Sequence, residues 1–543
     1  MNVTIPHLVP FDRSSRSYHQ RWLILAVLCL SLLVIIVDNS ILNVAIPTLV
    51  RELDATNSQL QWMVDSYTLV FAGLLLTAGS LGDRFGRRGA LQTGMVIFGL
   101  GSLASALADS ANQLIFTRGV MGIGAALIMP ATLSIITNVF PPEERGRAIG
   151  MWAAIAGVAT ALGPITGGFL VEHFYWGSIF LVNVPIVVVA LLAGFFLIPT
   201  SRDPSKPPLD PVGALLSIVG LVTLVYAIIQ APEKGWTSAS TLGAFAIALV
   251  VLGAFWVWES RTAHPMLETS FWSNPRFSAA SGGIMLLFFA MFGSIFLLTQ
   301  YFQFVMGYSA LEAGVHLLPM AITMLVVAPS SARIVERFGT KAVVGTGLGL
   351  AGFALATFTG LPAQDISYPR DVLWRLVLMA LGMALTMAPA TESIMGSLPR
   401  AKAGVGSAMN DTTRQVGGAL GVAIIGSVMS SVYAPKVAEV MHAAGLSGEP
   451  VAVAQDGLGQ ALSIAAGLPH EVGLEVADGA RAAFVDGLHH GVLIAAAAAL
   501  IGSVVAWRYL PAHESPAGEL EASPDHHGGV PVGAEVPVPS DAP

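Results

Sequence analysis

Residues 79–91 read GSLGDRFGRRGAL, one acid and three arginines among glycines, set between two long apolar runs. That setting decides the fold. The chain of 543 residues is 54% hydrophobic and only 11% charged, with mean hydropathy +0.71. Its apolar residues gather into blocks of about 20 or more, the length that crosses a bilayer core as a helix. Hydrocarbon offers no water to backbone groups, so spans must be helices or closed barrels, and these blocks are too long for the alternating ten-residue strands of a barrel. An all-α, polytopic membrane protein is expected.

Fourteen spans are predicted, at 22–49, 59–81, 89–108, 113–139, 147–171, 176–198, 212–231, 241–259, 278–301, 310–331, 342–361, 372–397, 403–431 and 488–510. An even number puts both termini on one side, and lysine and arginine, which favour cytoplasmic loops, decide which. With the N-terminus inside, 18 of the 26 basic residues are cytoplasmic, six are outside, and Arg118 and Arg414 stay within spans. The expectation is a multi-pass protein of the cell membrane with both termini cytoplasmic. Its apolar start is too long for a cleavable signal, lacks a small-residue cleavage site and carries Asp38.

The net charge of −8 lies largely in an outer loop and the C-terminal tail, and no basic stripe suggests nucleic acid. Cys29 is the sole cysteine, so an intramolecular disulfide or a cysteine metal cluster is excluded. The segments expected are a cytoplasmic N-terminus 1–21, six spans in 22–198, a linker 199–276 with two further spans, and six spans in 277–510. The last group includes an outer loop at 432–487, whose helical stretches could form a hairpin over the mouth. Residues 511–543, rich in Pro, Glu, His and Gly, cannot bury a core and are expected to be a disordered cytoplasmic tail.

Ionisable residues inside spans cost roughly 2.5–3.5 kcal/mol each on insertion scales, which makes each a candidate for function. Asp38 lies midway along span one and Asp65 on span two; Arg118 is in span four, Glu392 in span twelve, and Asp411 and Arg414 in span thirteen. Each has a structural alternative. Asp38 is either a coupling or substrate acid or a carboxyl hydrogen-bonded to neighbouring helices. Asp65 is either functional or a near-surface group reached by water. Asp411 and Arg414, three apart, can form an ion pair on one helix face. Glu392 can snorkel or pair with a loop arginine, and Arg118 needs a partner from another helix.

Span five carries Gly157, Gly163, Pro164, Gly167 and Gly168, which open a face for close backbone approach and add a kink. The run GTGLG at 345–349 lies inside an apolar span with no strand before it, so nucleotide binding is rejected. His489, His490, His526 and His527 are adjacent pairs better read as solvent-facing than as metal ligands.

These residues resemble the major facilitator superfamily, in its fourteen-span drug:H+ antiporter branch of EmrB/QacA type, over residues 20–510. Gly79, Leu81, Asp83, Gly86, Arg87 and Arg88 match the GxLxDxxGRR loop. The resemblance implies that Asp83 meets the N-terminal end of a helix in the other half, while Arg84, Arg87 and Arg88 tie the cytoplasmic ends together. Arg118, Gly122, Gly124 and Ala126 match a span-four motif thought to take part in proton transfer, with Met121 where a Gln is common. The span-five array looks like one associated with antiporters. Asp38, Asn39, Asn43, Ala45 and Pro47 look like the branch's span-one motif. Asp65 and Asp411 fall where related pumps for lipophilic cations carry acids, and SARIVERFGTKAV at 331–343 is an eroded second copy of the opening loop.

The resemblance implies the MFS fold: two six-helix bundles plus two additional transmembrane helices, 14 spans in all. It implies a proton-coupled multidrug efflux antiporter that exports lipophilic, cationic compounds by alternating access. No cofactor is expected, since the proton gradient drives transport. The expected partners are small lipophilic substrates, protons and the bilayer, and the expected unit is a monomer. Aromatic residues Phe288, Phe289, Phe292, Phe296, Tyr301 and Phe304 could form a wall with cation–π contacts or pack against core or lipid. The competing readings are an exporter of one antibiotic or metabolite, an uptake symporter, or a non-transporting membrane sensor. The absence of HExxH, of a serine nucleophile elbow and of an acid pair with a histidine argues against an enzyme.

Overall fold

The computed structural model describes residues 14–53, 55, 57–204 and 208–511. Residues 1–13, Lys206, most of the 511–543 tail with His526 and His527, and the side chains of Asn43 and Pro47 lie outside the described residues. Fourteen helices are long and apolar enough to cross a membrane. They are α1 (Arg21–Glu52), α2 (Asn57–Phe85), α3 (Arg87–Ala106), α4 (Ala111–Val139), α5 (Pro142–His173), α6 (Ser178–Leu197), α7 (Pro211–Lys234), α8 (Ala239–Glu259), α9 (Pro275–Gln300), α10 (Leu311–Phe338), α11 (Thr340–Thr357), α12 (Trp374–Gly396), α13 (Ala403–Ala443) and α14 (His470–Tyr509).

The chain marks the helix starts with residues that satisfy the otherwise orphaned first N–H groups. Asp210 accepts from the Gly213 N–H at 2.8 Å to open α7, and Asn274 accepts from the Arg276 N–H at 2.9 Å to open α9. Before α10, Ser309 and Glu312 form a reciprocal capping box. Proline occupies the first position of α5, α7 and α9, where its missing N–H costs nothing.

Helices α1–α6 pack together as one bundle and α9–α14 as another. Across the gap, α5 packs along α10, and α2 and α4 pack along α13. Small residues permit the closest approaches. A methyl group on Gly417 or Gly421 of α13 would strike the carbonyls of Met285 or Phe289 on α9, four residues apart on each helix. The pair α7–α8 stands outside both bundles, with α7 filling the seam between α2 and α13. Leu69 and Ala72 of α2 bury against Val225 of α7, and the Trp236 indole donates to Ser427 of α13 at 2.9 Å. Helix α8 touches little besides α7 and exposes Leu242, Ile247, Leu249 and Val250 as lipid-facing surface.

The largest departure from the predicted spans lies at the outer loop. Helix α13 has 41 residues, about 60 Å at 1.5 Å per residue and roughly twice the bilayer core. Helix α14 begins at His470 rather than near 488. Both therefore project beyond the core, joined by the short helices Glu449–Gln455 and Leu458–Ala466. The polar residues at 432–487 form helical stretches as expected, and the first and last of them are continuous with α13 and α14. The projection packs over the end of α9: Arg481 donates to the Phe304 carbonyl at 3.2 Å.

Gly86 joins α2 to α3 at φ +121° and Gly339 joins α10 to α11 at φ +81°. The eroded repeat thus preserves its backbone device where its charges have changed. The flanking pairs match too, with the Arg84 guanidinium 5.4 Å from the Phe85 ring and Arg337 at 5.4 Å from Phe338. Replacing either glycine with alanine is expected to destabilise by about 1–3 kcal/mol, because an L-residue rarely adopts these angles. Gly89→Ala, whose methyl meets nothing within 4 Å, serves as the unstrained control. Thermal unfolding of detergent-purified protein checks this; equal melting temperatures for all three variants would contradict it.

Candidate functional site

At one end of the molecule Asp83 lies across the boundary between the bundles. Its carboxylate accepts from the backbone N–H of Gly404 at 2.9 Å and of Val405 at 3.0 Å, in the first turn of α13. An anion is favoured there by orphan N–H groups and by the helix dipole. Arg87 donates to Asp83 through Nε at 2.8 Å and Nη2 at 2.6 Å, and Nη2 also reaches the carbonyls of Arg400 at 2.7 Å and Ala401 at 3.0 Å. Both side chains are nearly inaccessible. Gly79 makes the approach possible, since a methyl there would lie 2.6 Å from the Gly404 carbonyl oxygen. Arg88 stays within its own bundle, donating to the Phe195 carbonyl at 2.6 Å. The connector after α6 joins the cluster through Asp203 N–H to the Asp83 carbonyl, 2.7 Å, and Arg87 N–H to the Ser201 carbonyl, 3.0 Å. In the second copy Glu336 stands at the position of Asp83 and is exposed.

The glycines of α5 serve two contacts. Gly163 abuts Ser40 of α1, while Gly157 meets Met324 and Gly168 meets Leu311, both on α10. Pro164 presses on Gly314, and Gly167 is buried. Towards the Asp83 end the same seam continues through Gly150 against the Ala328 carbonyl. Glu392 of α12 lies 3.9 Å from Arg145, which precedes the transmembrane part of α5.

Asp38 and Arg118 meet in the middle of the first bundle. Arg118 Nη1 is 2.5 Å from Asp38 Oδ2, and both side chains are fully buried. Asn183 of α6 donates to the other carboxylate oxygen at 2.8 Å and to Ser102 of α3 at 3.1 Å. Arg118 Nε reaches the Met63 carbonyl at 3.2 Å, and its guanidinium lies 4.4 Å from the centre of the Tyr67 ring. Isolated, either charge would be prohibitively costly in this environment; as a hydrogen-bonded pair they are retained. Arg118 Nη2, the Tyr67 hydroxyl and Asn183 Oδ1 remain without hydrogen-bond partners.

Between the bundles lies a cavity of about 650 Å³. Its lining extends from Trp152 and Asp411 to Gln300, Gln303 and Ala313, near the end carrying the α13–α14 projection, and does not include Asp83. Its wall is mostly apolar and includes methionine and aromatic side chains, among them Met291, Met324, Met387, Phe71, Phe288 and Phe292. Asp411 and Arg414 lie at its floor, 3.8 Å apart. Arg414 donates to Thr391 at 2.7 Å and sits 5.0 Å from the Trp152 ring of α5 and 5.2 Å from the Phe288 ring of α9. It therefore touches both bundles. Asp411 Oδ2 and Arg414 Nε have no hydrogen-bond partner.

The sequence candidates thus fall into separate places. Asp411 and Arg414 line the cavity. Asp38 does not: the acid expected to attract substrate directly faces Arg118, while its neighbours Asn39 and Ser40 line the cavity from the same helix. Asp65 is buried against α7, within the field of Glu233, and is not part of the cavity wall. Of the expected aromatic wall, Phe288, Phe292 and Phe296 line the cavity. Tyr301 is buried and donates to the Pro362 carbonyl at 2.8 Å, and Phe304 packs on Gly459. Asn183, Tyr67 and Trp152 were not singled out in the sequence. An asparagine inside the most hydrophobic span, at a mean hydropathy of 2.7, was the signal available for the first. The GTGLG glycines pack against Trp507, Thr386 and Ser503, and His489 and His490 contact carbonyl oxygens. Among the described residues no cluster of metal-ligating side chains occurs.

Two six-helix bundles around a mid-membrane cavity, closed at one end by an inter-bundle latch, are the architecture of a membrane transporter. The chain belongs to the Major Facilitator Superfamily, whose sequence profile matches residues 28–422. It is 35% identical over 493 residues to the multidrug efflux pump LfrA of Mycolicibacterium smegmatis, covering 91% of this chain and 97% of that protein. It is 34% identical over 488 residues to the methyl viologen resistance protein SmvA of Salmonella typhimurium, covering 89% and 96%. It is 32% identical over 490 residues to the tetracenomycin C resistance and export protein of Streptomyces glaucescens, covering 89% and 91%. The fold is shared with the human organic anion transporter MFSD10, with a TM-score of 0.58 at 14% identity over 89% of this chain and 98% of that one. The protein is a multi-pass membrane transporter related to multidrug efflux pumps, and not an enzyme.

Asp83→Asn leaves Arg87 buried without its counter-ion, a change that costs about 3–5 kcal/mol where such pairs are broken. The latch is then expected to open. A cysteine in place of Val405, which is 3% exposed, should react with maleimide at least about tenfold faster beside Asp83→Asn than beside wild-type Asp83. Cys29, the only native cysteine, is buried and is removed for the assay. Equal labelling rates would contradict the latch.

Proposed function

We propose that the protein is a proton-coupled antiporter that exports lipophilic, cationic compounds from the cell by alternating access. The observation that carries this reading is an apolar cavity between the bundles with a carboxylate in its wall, Asp411, and a second carboxylate, Asp38, buried in the other bundle outside that wall. A cavity walled by methionine and aromatic groups suits varied lipophilic molecules, and ring faces attract cations. Relatives named for multidrug efflux and methyl viologen resistance support the same reading.

The bundles, 22–198 and 277–510, rock about the cavity while the 199–276 segment rides with the α2–α13 seam. Both termini and the Asp83 latch are cytoplasmic, so a closed latch with the cavity directed to the opposite end corresponds to an outward-facing state. A proton from outside neutralises a buried acid and lowers affinity for a cation, which leaves. The latch then releases, the proton departs to the cytoplasm, and the restored anion favours substrate again. Coupling requires the two states to differ in affinity, since equal binding shifts nothing. Protons, small lipophilic substrates and lipid are the partners of a monomer that needs no cofactor.

A narrower reading, a dedicated exporter of one antibiotic or metabolite, is favoured by Arg414. Its guanidinium in the cavity floor gives a substrate with carbonyl or phenolate oxygens a donor. Transport of a panel of lipophilic cations into everted vesicles tests the main reading. Asp38→Asn and Asp411→Asn are expected to lower gradient-driven transport by about tenfold or more, the scale of a typical coupling energy. Asp65→Asn, outside the cavity wall, is expected to lower transport less than either. Full efflux in all three variants would sink carboxylate coupling, and transport of neutral phenolic compounds alone would favour the dedicated exporter.

A further inference from the structure

A single aromatic ring stands between the cavity and the Asp38–Arg118 pair. Tyr67 is 1% exposed and lines the cavity, and the Arg118 guanidinium lies 4.4 Å from its centre. Its backbone packs closely on α4, where a methyl on Gly122 would be 2.7 Å from the Tyr67 carbonyl oxygen. Asp38 is faced by Arg118 from α4, Asn183 from α6 and Tyr67 from α2, and Arg118 is its one charged partner among the described residues.

We propose that Tyr67 is the positioning residue through which a lipophilic cation in the cavity and a proton on Asp38 exclude one another, with Asp38 never touching the substrate. The charges give the direction. When Asp38 is ionised, the pair is neutral and the ring face is free to attract a cation in the cavity. When Asp38 takes a proton, Arg118 keeps its charge without a counter-ion, and that charge lies over the ring that borders the cavity. A cation against Tyr67 then competes for a ring already engaged by an uncompensated guanidinium. By linkage the converse holds: a bound cation favours the ionised carboxylate and expels the proton. The ring carries this antagonism because it contacts both sides, while Asp38 and Arg118 are sealed from the cavity.

The inference rests on the reading that Asp38 carries the transported proton, and the test separates the two. Ethidium is added to detergent-purified protein in weak buffer, with proton release followed by a pH indicator and binding by ethidium fluorescence. Wild type and Tyr67→Phe are expected to release protons in proportion to ethidium bound. Tyr67→Leu and Tyr67→Met, which keep an apolar wall without a ring face, are expected to bind ethidium within about tenfold of wild type but to release under about a tenth as many protons per ethidium bound. Wild-type release per ethidium from Leu or Met overturns the role of Tyr67. Loss of binding in both, with unchanged release per ethidium that still binds, also overturns it, since the ring would then be only a wall. Asp38→Asn is expected to release none; wild-type release from that variant overturns the Asp38 reading itself, whatever the Tyr67 variants do.

Discussion

One hydrogen-bonded ion pair, Asp38 with Arg118, organises the first bundle. Neither charge can be held alone in a water-free helix bundle, and each lies on a helix that offers it no partner, so α1 and α4 must meet at that level. Asn183 on α6 and Ser102 on α3 complete the shell, which draws four of the six helices to one point. The same constraint turns Asp38 away from the cavity although Asn39 and Ser40 beside it face in. A transporter built on this pair has its acid in a place that substrate does not enter, and any exchange of proton for substrate has to pass through whatever separates them.

The second bundle solves the problem differently. Asp411 and Arg414 are one helical turn apart at 3.8 Å, incompletely hydrogen-bonded and in contact with the cavity. Arg414 also lies against Trp152 of the other bundle, so the cavity floor is an inter-bundle contact as well as a binding surface. The two closures differ in kind. At the Asp83 end the contact is polar, an acid on the start of α13 reinforced by Arg87; along α5 and α10 it is apolar, with glycine and proline of α5 against Leu311, Gly314, Met324 and Ala328. The Asp83 latch has no equal in the second copy, where Glu336 is exposed, and that asymmetry was already visible in the erosion of the repeat.

Much of the architecture was legible because membrane insertion writes itself into composition. Runs of about 20 apolar residues can satisfy their backbone only as helices, and the fourteen predicted spans correspond to the fourteen long helices. The helical stretches of the outer loop were legible, but not that its arms continue α13 and α14 without a break, because hydropathy marks where hydrocarbon ends, not where a helix ends. The buried charges were legible because each is costly, and the local pair Asp411–Arg414 and a loop arginine for Glu392 followed from spacing and position, but the partner of Arg118 did not: nothing in one sequence says that it comes from α1 eighty residues earlier. Uncharged partners were harder still. Tyr67 and Trp152 are ordinary aromatic residues in apolar helices, and only their position under a guanidinium distinguishes them.

On the proposed mechanism the Asp38–Arg118 pair couples transport to the proton gradient and is more than a structural tie. The paired replacement Asp38→Asn with Arg118→Gln removes both charges together, so that no uncompensated ion is left buried. Ethidium accumulation in everted vesicles, followed with and without a pH gradient, is the deciding measurement. The account predicts that this protein equilibrates ethidium across the membrane but does not concentrate it when the gradient is imposed. Gradient-driven accumulation at the wild-type level would contradict it.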